Sequence, residues 1–132
     1  MTFQEFCANL EAKIIDSYES GVSLETAERL ASEFLAAQLR VSSELKKADL
    51  DARMRKSGLK SFRAKVYIET KSLEPKTTEA GVASIIDSHK VVVAEQNALD
   101  SAEVDREELE RYYSIFQNAH IHYRGVAKGR FD

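Results

Sequence analysis

The stretch VASIIDSHKVVVAEQNALDSAEVDREELERYYSIFQNAHIHY, Val82 to Tyr123, decides the fold. Along it Val82, Ile85, His89, Val92, Gln96, Leu99, Glu103, Arg106, Leu109, Tyr113, Phe116, His120 and Tyr123 recur at three- and four-residue steps. That spacing places side chains on one face of a helix. Neither Pro nor Gly occurs between Gly81 and Gly125, so no strong breaker interrupts the pattern. The span of about 44 residues corresponds to roughly 65 Å at ~1.5 Å per residue. The pattern predicts one helix over 78–124. Gln96, Glu103 and Arg106 on the stripe suit a coiled-coil-like seam, or a helix shared between subunits, better than a closed core. So long a helix exceeds the partner expected for it within the chain, and this predicts a homo-oligomer.

Upstream of that stretch, Leu73-Glu74-Pro75-Lys76 reads as a linker over about 71–77, because Pro75 pushes Glu74 out of helical geometry. At the other end of the chain, Thr2-Phe3-Gln4-Glu5 has capping-box spacing. Phe3, Phe6, Leu10 and Ile14 then continue at helical steps and predict a helix over about 3–19. Ser20-Gly21 breaks it, and Ser23 caps a second helix with Glu25 and Glu28 near its positive end. Leu24, Ala27, Ala31, Phe34, Val41, Leu45 and Ala48 carry that helix to about 56, where Ser57-Gly58 weakens it. Residues 59–70 stay open: the Val66-Tyr67-Ile68 run fits either the last turns of this helix or an extended segment.

The fold expected is all-α: a single helical domain over 1–132, elongated, built on a long antiparallel helix pair with an N-terminal helix and a basic tail at 125–132. Composition agrees, since one Pro and five Gly in 132 residues are too few for a turn-rich β fold or a disordered chain. The lone Cys7 cannot form an internal disulfide, which suits a reducing, cytoplasmic setting. Cys7 lies among Phe3, Phe6 and Leu10 and reads as a small buried hydrophobe. No apolar run is long enough for a membrane span, and the first residues show no signal-peptide pattern.

Recognisable catalytic constellations are absent from the sequence. It contains no Gly-rich phosphate loop, no cysteine pair and no His-Glu-x-x-His helix. His120 and His122 are two apart, which on a helix sends them to different faces. His89 stands alone, and Glu107, Glu108 and Glu110 interleave with Arg106 and Arg111 as a solvated face would. The expectation is a non-enzymatic protein with no metal and no cofactor.

Charge is the informative signal. The net charge of −3 conceals a segment, residues 46–65, with eight bases against two acids. Lys46, Lys47, Arg53, Arg55, Lys56, Lys60, Arg63 and Lys65 are candidates for phosphate contacts, with Phe62 and Tyr67 as stacking platforms for unpaired bases. Arg53, Lys56 and Lys60 fall on one helix face, and Lys46 extends it. A basic solvated face is the alternative. The tail adds Arg124, Lys128 and Arg130, which fit either a second nucleic-acid contact or the cations and glycine of a helix end.

The basic segment from Ser43-Glu44-Leu45-Lys46-Lys47 to Lys65, followed by Val66-Tyr67-Ile68, the Pro75 linker, Ile85-Ile86-Asp87, Leu99, Leu109 and Tyr123-Arg124-Gly125, resembles the layout of UvsY-like recombination mediators of T4-type bacteriophages. The resemblance covers about residues 40–125. It implies an oligomeric, single-stranded-DNA-binding protein of the host-cell cytoplasm. Such a protein helps displace the single-strand-binding protein and load a RecA-type recombinase. The alternative from another class is a helical phage assembly or adaptor protein that works through protein contacts without DNA.

Overall fold

The computed structural model describes residues 1–129. Among them the chain forms four helices and no strand: α1 (Phe3–Ser20), α2 (Leu24–Leu73), α3 (Glu79–Ser88) and α4 (Lys90–Ala127). The all-α expectation holds, and α2 and α4 form the long antiparallel pair. None of these helices is long and apolar enough to cross a membrane. The chain divides into two compact units, one from residues 1–45 with 107 onward and one from 46–106.

The first unit is a three-helix core. Thr2 caps α1 by accepting from the Glu5 amide at 3.1 Å while Glu5 reaches back to the Thr2 amide, the expected capping box. Gly21 ends α1 at φ +77°, a conformation that disfavours a side chain. Ser23 then accepts from the Thr26 amide at 3.1 Å and opens α2. Cys7 and Leu10 of α1 meet Ala27, Phe34 and Val41 of α2 and Tyr112, Phe116 and Tyr123 of α4. The Phe34 ring lies 5.6 Å from both the Phe116 and Tyr123 rings. Tyr123 buries its phenol without a polar cost because the hydroxyl bonds to Ser17 Oγ. Ion pairs at the rim join α1 to its neighbours, Lys13–Glu33 at 3.0 Å and Arg111–Glu11 at 3.1 Å.

The second unit is a helical hairpin. Leu59 and Val66 of α2 pack with Val82 and Ile86 of α3 and with Val92 and Leu99 of α4. On α2 the buried positions Ala52, Leu59 and Val66 are seven residues apart, the repeat of a coiled-coil seam. The turn is closed by Lys71, whose ammonium donates to the Thr77 carbonyl at 2.7 Å.

Several boundaries differ from those read in the sequence. Helix α2 does not stop at 56. It continues through Ser57-Gly58 to Leu73, so 59–70 is helix and the linker shrinks to residues 74–78. The reason is tertiary: Leu59 and Val66 are 6% and 4% exposed, and their burial outweighs the propensity cost of Gly58. The helix expected over 78–124 is two helices, broken at His89. There Ser88 Oγ bonds back to the Ser84 and Ile85 carbonyls and His89 takes an extended ψ of 128°. His89 Nδ1 then accepts from the Val91 amide at 3.2 Å, capping α4. The stripe shifts accordingly: Ile86 and Tyr112 are buried, whereas Ile85 is 39% exposed. Gly125 lies inside α4, which ends at Ala127. With 50 residues in α2, the length surplus that motivated an oligomer is gone.

Candidate nucleic-acid interface

The basic segment 46–65 lies wholly on α2 within the second unit, so helical geometry alone places each cation. Lys46, Arg53 and Lys60 form one row at seven-residue spacing, with Lys56 beside Lys60 one turn earlier. Lys47 and Lys65 lie on the other side of the outward face. All of these are exposed.

The arginines are held within the protein. Arg53 pairs with Asp49 at 3.0 Å and Arg55 with Asp51 at 3.1 Å, both one turn back on α2. Arg63 reaches across to Asp87 of α3 at 2.6 Å. Asp49 also faces Arg106 of α4 at 3.6 Å. The lysines differ: Lys46, Lys56, Lys60 and Lys65 make no ion pair among the described residues.

The two stacking candidates change role. Phe62 is half-buried against the hairpin core, with its ring 5.4 Å from the His89 ring in a T-shaped contact, so it is less open to a base than an exposed ring. Tyr67 is 37% exposed, and its hydroxyl donates to the Glu79 carboxylate at 3.0 Å. That bond to a carboxylate holds the phenol above its ordinary pKa, with slight burial and the Glu79 charge adding to it.

Arg124 is exposed in the last turn of α4 and Lys128 just past its end, both in the first unit. Their cations suit the negative end of that helix. Arg130 lies outside the described residues. Of the histidines, His120 Nδ1 donates to the Ala31 carbonyl at 2.8 Å, a packing role.

One feature of α2 was missed in the sequence. Leu50, Ser57 and Ala64, and with them Met54, Ser61 and Ile68, repeat every seven residues on the side opposite Ala52, Leu59 and Val66. All six are exposed; Leu50, Met54 and Ile68 remain 59%, 66% and 67% open. The signal was a second heptad in the same helix, overshadowed by the charges that flank it.

No family model, no curated protein and no solved structure matches this chain.

Proposed function

We propose that this is a non-enzymatic, cytoplasmic protein that binds single-stranded DNA through the outward face of α2, in the manner of a recombination mediator that helps load a RecA-type recombinase. The observation that carries the reading is the set of exposed lysines, Lys46, Lys56, Lys60 and Lys65, which among the described residues make none of the ion pairs that engage the arginines. Exposed lysines on one helix meet phosphates as point charges and release condensed counterions. With Phe62 packed inward, base stacking has little part and the recognition is of the backbone. The test is a salt titration of oligonucleotide binding. Changing the four lysines to Glu is expected to flatten the log–log slope by about three units, at ~0.7 per phosphate lost. A helical variant that binds as wild type does would refute the reading.

The second reading is a helical phage assembly or adaptor protein acting through protein contacts alone. The exposed seam of Leu50, Met54 and Ile68 favours it, since a phosphate-binding face has no use for three large apolar side chains. Under that reading the four-lysine variant keeps its protein partner, and DNA binds neither form.

A further inference from the structure

The α2 seam is flanked on one side by Lys46, Arg53 and Lys60 and on the other by Asp51, Gly58 and Lys65, so cations outnumber acids on its flanks. In a heptad these are the positions beside the seam, which set partner choice through charge. The second unit holds a face of matching design and opposite sign. On α4, Ala94, Asn97, Ser101 and Val104 are exposed, follow at three- and four-residue steps, and lie away from the inward Val92 and Leu99. Their flanking positions carry Asp100 and Asp105. Each helix thus turns one seam inward to its own hairpin and a second seam outward.

We infer that the outward seam of α2 takes the outward seam of α4 from a second copy of this chain. Charge complementarity selects this occupant. Two α2 seams would set lysine against lysine and arginine, and two α4 seams would set aspartate against aspartate, whereas α2 against α4 sets base against acid on the flanks. Ser57, Ser61 and Ala64 on one side and Ala94 and Ser101 on the other are small, so the backbones approach closely while Leu50, Met54, Ile68 and Val104 fill the seam. The two patches differ, so the contact is heterologous. It leaves one α2 and one α4 seam open at the ends, and it propagates into a ring or a filament. The inference does not rest on the nucleic-acid reading.

The test uses the full chain and two variants, each blocking one seam: Ser61→Glu on α2 and Ser101→Arg on α4. Both sites are exposed in the single chain, and circular dichroism verifies that each variant stays helical. Light scattering over a dilution series is expected to give wild-type masses of several times 14.9 kDa, falling as salt is raised. Each variant alone is expected at 14.9 kDa, and the equimolar mixture at twice that and no more, because the intact α4 seam of one meets the intact α2 seam of the other and both remaining seams are blocked. Wild type at 14.9 kDa throughout would overturn the inference, as would variants that assemble as wild type does. Helical variants that stay monomeric when mixed would overturn the heterologous arrangement, since only unlike patches complement each other.

Discussion

Phe34 has no exposed surface and meets two aromatic rings from α4. Truncating it to Ala removes those contacts and leaves a void that rigid helices fill poorly, an expected loss of about 3–5 kcal/mol by denaturant titration. Cys7 acts through its proton. Burial pushes its thiol from the ordinary 9.0 up to about 11, while Arg40 nearby pulls the other way. The unfolded chain therefore releases this proton before the folded one does. The stability contribution is complete below pH 9 and is lost as pH rises toward 11. Denaturation midpoints of wild type are expected to fall faster than those of Cys7→Ala across that window, although the variant starts lower because of the cavity. The same protonated thiol predicts slow alkylation at neutral pH, with a rate that follows unfolding.

At the scale of the element, α2 is continuous where a break was expected, and Gly58 marks the discrepancy. A Cβ at Gly58 would meet nothing within 4 Å, so Gly58→Ala is expected to raise stability by about 0.5–1 kcal/mol, as in any exposed helix interior. At the opposite discrepancy, His89→Ala removes the cap of α4 and an edge contact to Phe62. The expected loss is about 0.5–2 kcal/mol. Local signals were legible in the sequence wherever they depended on adjacent residues: the Thr2 and Ser23 caps, the Gly21 stop and the Pro75 turn all lie where they were expected. Signals that depended on tertiary partners were not. Helix over 59–70 required knowing that Leu59 and Val66 face α3 and α4, and the His89 break required a side chain turned back onto its own backbone. The candidate site was legible as charge, because lysine spacing is local. That Phe62 packs against the core and Arg63 closes on Asp87 was not legible, because Asp87 and His89 are distant in sequence, whereas Arg53–Asp49 and Arg55–Asp51 are four-residue pairs on one helix.

On the scale of the whole molecule, the two units have unequal cores. The first buries Phe34, Phe116, Tyr112 and Tyr123, whereas the second buries aliphatic side chains of α2, α3 and α4. Amide hydrogen exchange is expected to be slower around Phe34 and Phe116 than around Leu59 and Leu99, because opening of the thinner core exposes less apolar surface. The proposed nucleic-acid face and the proposed self-association seam also share Lys46, Lys60 and Lys65. A single-stranded oligonucleotide is therefore expected to lower the assembled mass in light scattering, and an unchanged mass with oligonucleotide bound would show that the two surfaces are separate.

The division of the chain bears on its birth at the ribosome. The second unit is one continuous segment, 46–106, and every contact within its core is available once Arg106 has emerged. The first unit is split: its α1 and early α2 are made before residues 107–127 and wait for them. At about 5–20 residues per second the wait from residue 45 to residue 127 lasts roughly 4–16 s. Throughout it Phe34 faces water where Phe116 and Tyr123 belong. The segment 46–106 thus closes first, and α1, made before it, is secured after it. A stalled chain ending before Glu107 would present Cys7 to a thiol reagent that the finished protein excludes.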